Sequence, residues 1–315
     1  MQPLISIIIP TCNRSHLLGE TLDSIIAQTY TAWECIVVDD GSSDYTVELM
    51  DFYVHIDTRI SFVDRPITRI KGANACRNYG YEISKGAYVN WFDDDDIMHP
   101  EKLESQLKSL ENSDRNFSIC QSLVFHNNVN NILGLRNERI FSEQPFYDYL
   151  TMKIGWLTQV PLWKRNFLLE LDYLFDEELQ AAQEWEFHCR ILNKFPEYAV
   201  EYNALVYIRK HEHSITYNQN KKQQSWYYFQ ARIKIYKNTN LELDSNSNQF
   251  LQGYLLNSFK KMIITNNKNV LEAYKLFILP EHKMSSITKI NSLLAIGAYK
   301  LFNKGNFVLQ KIKYK

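Results

Sequence analysis

The chain has 315 residues, of which 45% are hydrophobic and 23% charged, with a formal net charge of −1. These are the proportions of an ordinary globular protein. A charge near zero argues against a general nucleic-acid binder, because such proteins carry a clear positive excess. The five cysteines are scattered without a C-x-x-C pair, which argues against a disulfide framework or a zinc site and is typical of a reducing compartment.

The first apolar run, residues 4–9, lacks a basic segment before it and a small-residue cleavage site after it. We interpret it as a strand and not as a signal peptide. Other apolar runs, such as residues 293–299, are far shorter than the roughly 20 residues of a membrane-spanning helix. We therefore expect a cytoplasmic protein.

Residues 1–100 alternate between strand and helix patterns. The predicted strands are Ile5–Ile9, Trp33–Val38, Ile60–Val63 and Ala87–Phe92, and the predicted helices are His16–Gln28, Val47–Val54 and Ala73–Lys85. Continuous apolar strands are typical of parallel sheets buried on both faces. Repeated β-α-β units predict an α/β fold, a mostly parallel sheet flanked by helices with right-handed crossovers.

The pattern is less regular after residue 100. It predicts strands at Phe117–Phe125 and Ala199–Arg209, a polar turn at His126–Asn131 and a helix at Glu177–Leu192. Beyond Ser214 the composition shifts to Asn, Gln, Lys and Tyr with helical periodicity. We expect a domain boundary near Thr216, with an α/β domain at 1–216 and a helical C-terminal region at 217–315.

Polar clusters follow three of the predicted parallel strands, at Thr11–Arg14, Asp39–Asp44 and Asp93–Asp96. Each cluster alone is compatible with a turn that caps a helix. Ligands of open parallel sheets bind beyond the carboxyl ends of the strands, so the three clusters together predict a binding site.

The run Asp93–Asp96 places four carboxylates directly after a buried strand. Adjacent carboxylates repel one another strongly away from water. A solvated acidic turn is one interpretation. We favour a divalent metal site, because carboxylate oxygens suit Mg²⁺ or Mn²⁺, whose remaining positions take water and phosphate oxygens.

Several segments together resemble, in order and spacing, the family 2 glycosyltransferases with the GT-A fold. They are Ile8-Ile9-Pro10-Thr11-x-Asn13-Arg14, Val37-Val38-Asp39-Asp40-Gly41-Ser42, Ala75-x-Arg77-Asn78, Phe92-Asp93-Asp94-Asp95-Asp96, Phe175-Asp176-Glu177 with Gln183-Glu184-Trp185-Glu186, and Arg209-x-His211-x-x-Ser214-x-Thr216. The resemblance covers residues 3–216, roughly two-thirds of the chain. It implies that 1–216 is a catalytic domain with a nucleotide-sugar-binding half (1–100) and an acceptor-binding half (101–216).

The resemblance implies a role for each matching residue. The nucleotide-sugar donor would be bound by Pro10, Thr11, Asn13, Arg14, Asp39, Asp40, Arg77 and Asp94. Asp39 would accept an N–H of the base, and Arg77 would meet the base or the diphosphate. Asp93 and Asp95 would frame a D-x-D pattern that binds Mn²⁺ or Mg²⁺, with Asp95 as the best candidate for direct ligation. His211 would be a further metal ligand or a donor to the leaving group, with a plain surface histidine as the alternative.

Glu184 is the expected catalytic base, because it aligns with the second acid of the family's usual Glu-Asp pair. Two departures from the family pattern affect this region and the donor site. Gln183 replaces the first acid of the pair, and Glu186 is the rival base if the register differs. Cys12 stands where many relatives carry an aromatic residue that stacks on the base, which leaves uridine specificity open.

The implied function is an inverting, metal-dependent transfer of a sugar from a nucleotide-diphosphate sugar, a UDP-sugar above all. The acceptor would be a hydroxyl of a saccharide or a lipid-linked saccharide, in polysaccharide or glycolipid biosynthesis. A nucleotidyltransferase is the first alternative, although no glycine-rich phosphate loop follows the first strand. A non-catalytic protein that binds nucleotide sugars is the second.

Residues 281–315 contain seven lysines and one glutamate. Ile287, Ile290, Leu294, Ala298 and Leu301 recur there at helical spacing. One interpretation is a helix packed on the catalytic domain with a solvated lysine face. The other is an amphipathic helix in peripheral contact with an anionic membrane, on the inner face of the cell membrane.

Overall fold

The computed structural model describes residues 2–211 and 221–314. Ser214 and Thr216, which carry the end of the last motif and the predicted domain boundary, lie outside the described residues. The chain divides into two compact units. The first comprises Met1–Glu178 and Phe195–Ser214, and the second comprises Leu179–Lys194 and Ile215–Lys315.

The first unit contains all the strands found in the described part of the chain. They are β1 (Ile5–Thr11), β2 (Trp33–Asp39), β3 (Ile60–Asp64), β4 (Tyr88–Trp91), β5 (Ile97–Met98), β6 (Phe117–His126), β7 (Asn128–Leu135), β8 (Leu162–Lys164) and β9 (Ala199–Lys210). Its helices are α1 (Ser15–Ile26), α2 (Thr46–Ile56), α3 (Ala73–Ile83), α4 (Lys102–Glu111), α5 (Pro145–Leu150) and α6 (Arg165–Leu168).

The strands form one mostly parallel sheet in the order β3-β2-β1-β4-β8-β6-β9-β5, with β7 paired to β6. The pairs β1–β2, β1–β4, β2–β3 and β6–β9 are parallel. The shorter strands β5 and β8 pair in antiparallel fashion. The structure thus confirms the predicted fold class, a mostly parallel sheet flanked by helices and followed by a helical C-terminal region.

Burial explains why β1 forms where it does. All seven residues of β1 are buried, as expected for a central strand covered on both faces. Helix α3 packs so closely on the sheet that a Cβ added to Gly80 would lie 2.4 Å from Cγ2 of Ile8. This close approach fixes α3, which carries Arg77, against β1.

Two predicted elements differ from the structure. The polar turn predicted at His126–Asn131 is wrong, because the turn is confined to Asn127 (φ 60°) and β7 begins at Asn128. All but one residue of β7 are exposed, so this edge strand has no buried face to produce an alternating pattern. The helix predicted from Glu177 begins only at Gln183, since Ala182 has the left-handed φ of 57°.

The second unit is helical in the described residues. It contains α7 (Gln183–Lys194), α8 (Lys221–Lys237), α9 (Ser245–Ile264), α10 (Val270–Ala273), a π-helical turn (Tyr274–Ile278), α11 (Ser286–Phe302) and α12 (Asn306–Leu309). Its core includes Phe229, Phe259 and Phe277, all nearly inaccessible to solvent. None of the described helices combines the length and apolar character that a membrane crossing requires.

Candidate functional site

The carboxyl ends of β1, β2 and β4 meet at one edge of the sheet. Thr11 at the end of β1 pairs in register with Asp39 at the end of β2, and β4 is the other neighbour of β1. The Thr11 hydroxyl donates a hydrogen bond of 2.7 Å to the carboxylate of Asp94. Because parallel strands end on the same side, the three polar clusters of the sequence come together here.

Asp95 lies at the centre of a small charged cluster. Its Oδ2 accepts a hydrogen bond from Nη1 of Arg14 at 2.8 Å and lies 3.0 Å from Nε2 of His211. The same Arg14 nitrogen is 3.3 Å from Nε2 of His211. Burial opposes ionisation, but the His211 hydrogen bond and the Arg14 charge outweigh it and hold the pKa of Asp95 below its ordinary value. Asp95 is therefore ionised at neutral pH.

Asp93 and Asp94 have different environments. Nη2 of Arg77 donates a 2.7 Å hydrogen bond to Asp93, and burial still raises the pKa of Asp93. Burial, followed by the charge of Asp95, raises the pKa of Asp94 to about 7. Adjacent carboxylates in a partly desolvated site ionise less readily than isolated ones, so the acids of this run are not equivalent in charge.

Asp96 has a structural role. Its carboxylate accepts the backbone N–H of Arg209 at 2.8 Å and a hydrogen bond from the amide of Gln159. Only 3% of the residue is exposed, and burial raises its pKa well above the ordinary value. Asp96 thus attaches the acidic run to β9, the strand that leads to His211.

Asp95 and His211 are suitable ligands for one divalent cation. The carboxylate oxygen of Asp95 and the imidazole nitrogen of His211 are adjacent, and carboxylate oxygens suit Mg²⁺ and Mn²⁺, so these two side chains would hold such an ion. Asp93 is engaged with Arg77. Within the described ranges no three His, Cys, Asp or Glu side chains surround a common position. Phosphate oxygens of a ligand would have to complete the coordination, as is usual for Mg²⁺.

Asn13 and Asp39 shape the loops around the site. Asn13 has the left-handed φ of 55°, and its side-chain oxygen accepts the backbone N–H of Ser43 at 2.7 Å. The Asp39 carboxylate accepts the backbone N–H of Ser42 at 2.8 Å and also its hydroxyl. Pro10 is buried within β1. Asn13 thus links the loop after β1 to the loop after β2, and Asp39 fixes the loop after β2 internally.

Asp40 and Arg77 are both buried, and each forms an ion pair with another residue. Asp40 accepts a 2.5 Å hydrogen bond from Nε of Arg65 and a 3.2 Å bond from the backbone N–H of Gly72 at the start of α3. Arg77 is 4% exposed and contacts Asp93 and Asn74. The sequence analysis did not identify Arg65. This residue directly follows β3, and ligands of parallel sheets bind beyond the carboxyl ends of the strands, so its position was a usable signal.

The two candidate bases on α7 differ sharply in environment. The carboxylate of Glu186 is buried and forms an ion pair with Arg190, with Oε1 2.7 Å from Nε. Glu184 lies in the same first turn but is only partly buried. Burial, followed by the charge of Glu184, raises the pKa of Tyr228 on α8, so Glu184 lies near this hydroxyl in the second unit.

Comparisons of this sequence with known proteins find glycosyl transferases. The sequence model described as Glycosyl transferase family 2 matches residues 6–165. The putative colanic acid biosynthesis glycosyl transferase WcaA of Escherichia coli (strain K12) is 31% identical over 242 residues, which cover 74% of this chain and 82% of the relative.

Two solved structures share the fold. TarS 1–349 of S. aureus in complex with UDP-GlcNAc superposes with a TM-score of 0.63 at 16% identity, over 98% of this chain and 90% of that chain. In the longer TarS structure, 54% of that chain is covered. The mannosyltransferase PcManGT of Pyrobaculum calidifontis in complex with GDP-Man and Mn²⁺ has a TM-score of 0.57 at 17% identity, over 99% of this chain and 86% of that chain.

Proposed function

Because this chain belongs to glycosyl transferase family 2, we propose that it is an inverting glycosyltransferase with a nucleotide-diphosphate sugar, above all a UDP-sugar, as donor. The acceptor is a hydroxyl of a saccharide or lipid-linked saccharide. The observation that carries this proposal is the cluster of Arg14, Asp95 and His211 at the sheet edge. It combines a cation with two side chains that are able to bind a metal, next to the loops after β1 and β2.

A UDP-sugar and a polysaccharide product are supported by the relatives. TarS was solved with UDP-GlcNAc, whereas PcManGT was solved with GDP-Man, so the nucleotide has to be tested. WcaA is named for colanic acid biosynthesis, which supports a role in polysaccharide assembly. Family membership favours glycosyl transfer over the nucleotidyl transfer considered as an alternative.

The donor would lie across the ends of β1, β2 and β4. The nucleoside would contact Thr11, Asp39 and Asp40, and the diphosphate would lie at the Asp95 cluster. Arg14 reaches Asp95 with one guanidinium nitrogen, and a guanidinium can donate to two phosphate oxygens at once. Arg14 therefore stabilises the negative charge that grows on the leaving nucleoside diphosphate.

Asp95 and His211 would hold Mn²⁺ or Mg²⁺ against the diphosphate. When bound, such an ion supplies positive charge to the leaving phosphate oxygens without a proton transfer. Arg77 supports this end of the site indirectly, because it orients Asp93 through their ion pair. The remaining step is the deprotonation of the acceptor hydroxyl.

Glu184 is the residue we assign as general base. The acceptor hydroxyl attacks the anomeric carbon from the face opposite the leaving group and gives its proton to this carboxylate. A single displacement of this kind inverts the anomeric configuration. Glu186 is a poor base, since its carboxylate is already committed to Arg190 in the protein interior.

A donor panel tests the proposal. Binding and slow hydrolysis of UDP-, GDP- and TDP-sugars are measured with Mn²⁺, with Mg²⁺ and with a chelator. We expect one nucleotide class to bind and the chelator to weaken that binding at least about tenfold. Asp95→Asn should remove the metal effect, whereas the control Asp51→Asn, at an exposed carboxylate on α2, should leave it unchanged.

Each outcome bears on a different part of the proposal. Failure to bind any sugar nucleotide contradicts the function itself. Binding that is indifferent to both metal and chelator contradicts the Asp95–His211 metal site. Donor binding without transfer to any saccharide acceptor favours the non-catalytic alternative.

A further inference from the structure

Helix α11 exposes an apolar stripe to solvent. Ile287, Ile290, Leu294 and Leu301 are 71, 57, 57 and 75% exposed, respectively. At 100° per residue these four side chains fall within about 60° of the helix circumference. Such a contiguous apolar stripe is unusual on a surface that faces only water.

The buried face of α11 lies on the opposite side. Ala295, Ile296 and Tyr299 belong to the core of the second unit. Folding of this unit therefore uses one side of the helix and leaves the stripe uncovered. Phe302 and Phe307, each 71% exposed, add to the apolar surface at the C-terminal end of α11 and in α12.

Basic residues surround this surface. Lys300 and Lys304 are exposed next to Leu301. A cavity of about 360 Å³ opens beside Ile287 and Phe307 and is also lined by Lys311 and Lys313. The ammonium of Lys311 lies 4.0 Å from the centre of the Phe307 ring. The other residues around the cavity are Ser285, Thr288, Asn291 and Gln310, so its lining offers donors for an anion and no carboxylate.

We propose that α11 and α12 lie on a membrane that contains anionic phospholipids. The stripe enters the boundary between headgroups and acyl chains, and the Lys311–Lys313 cavity receives a headgroup phosphate. An apolar face flanked by lysines is the pattern of helices that bind membranes in this way. Of the two interpretations of the C-terminal sequence, this is the one that the exposed stripe favours.

Charge separates a lipid surface from a second copy of this chain. Residues 281–315 carry seven lysines and a single glutamate. Two copies packed stripe to stripe would bring these lysines together, and such like-charge contacts oppose association. An anionic bilayer supplies the opposite charge, so it complements both the stripe and its surroundings.

Vesicle sedimentation of the full chain tests the proposal. The wild-type protein is mixed with phosphatidylcholine vesicles, with and without about 30% phosphatidylglycerol, since anionic lipid supplies the surface potential. We expect binding only to the anionic vesicles, weakened by high salt because screening shortens the range of the attraction. Leu294→Glu should weaken binding at least about tenfold, since it puts a charge into the apolar stripe.

The charge contribution is tested separately. A lysine near an anionic surface contributes about fivefold to binding, so Lys311→Glu with Lys313→Glu should weaken it at least about 25-fold. Ile56→Glu is the matched control for Leu294→Glu. Ile56 is 55% exposed at the end of α2, so its change should leave vesicle binding intact. Circular dichroism and thermal unfolding verify that each variant folds.

Several results would overturn the proposal. One is a wild-type protein that ignores anionic vesicles or binds neutral vesicles equally well. Another is a Leu294→Glu variant that binds like the wild type. A wild-type dimer that Leu294→Glu converts to monomer in analytical ultracentrifugation would assign the stripe to a second copy. Because sugar-nucleotide binding is a separate measurement, failure here leaves the proposed function untouched.

Discussion

The paired substitutions Glu184→Gln and Glu186→Gln separate a base from a structural carboxylate two residues away. Glu186 is 1% exposed, and its two carboxylate oxygens lie 2.7 and 3.3 Å from Nε and Nη2 of Arg190. Glu184, in the same helical turn, is only partly buried. The chemical change is identical in the two variants, so each serves as the control for the other.

We expect Glu186→Gln to lower stability and Glu184→Gln to lower turnover. Breaking a buried ion pair by removing one of its members costs about 3–5 kcal/mol of unfolding free energy. With a urea m-value of about 2 kcal/mol/M, Glu186→Gln lowers the unfolding midpoint by roughly 2 M. Glu184→Gln keeps the length of a side chain that is only partly buried, so its unfolding free energy changes by about 1 kcal/mol or less. Loss of a general base lowers turnover by about 10²- to 10⁴-fold.

Urea unfolding followed by circular dichroism gives the stabilities, and calorimetric donor binding and sugar transfer give the activities. Glu184→Gln should bind the donor normally and fail to transfer the sugar. The reasoning is refuted if Glu184→Gln transfers sugar at the wild-type rate. It is also refuted if Glu186→Gln is as stable as the wild type and loses only turnover, because Glu186 would then be the base.

Three further predictions concern stability. Burial lowers the pKa of the fully buried Lys102 from 10.5 to about 8, so the unfolded chain binds more protons between those values and stability rises with pH across that window. Lys102→Met should remove this rise and increase the urea midpoint at pH 7, because the Lys102 ammonium has no hydrogen-bond partner among the described residues. Burial likewise lowers the pKa of His188 from 6.5 to about 3. Stability should therefore fall as the pH drops from 6.5 to 3, and His188→Gln should reduce that slope in urea midpoints measured at pH 4 and 7. Gly80→Ala should cost about 1–3 kcal/mol in urea unfolding through overpacking, because its new Cβ would lie 2.4 Å from Cγ2 of Ile8; an unchanged midpoint would contradict this.

The sequence alone determined the architecture of the first 100 residues. Strands buried on both faces of a parallel sheet must be continuously apolar, and β1 and β2 have that pattern. Their polar ends therefore had to share one edge. The edge strand β7 remained undetected because it has almost no buried residues, and the late start of α7 depends on the backbone conformation of Ala182.

Only the tertiary structure distinguished the environments of neighbouring residues of the same type. Four adjacent aspartates are indistinguishable as letters, yet Asp95 contacts Arg14 and His211 whereas Asp96 is fixed to β9. Asp95 and His211 are 116 positions apart, a separation at which helix and strand periodicity carries no information. Periodicity did identify the apolar stripe of α11. The exposure of that stripe to solvent depends on which side of the helix packs into the core, and only the tertiary structure shows this.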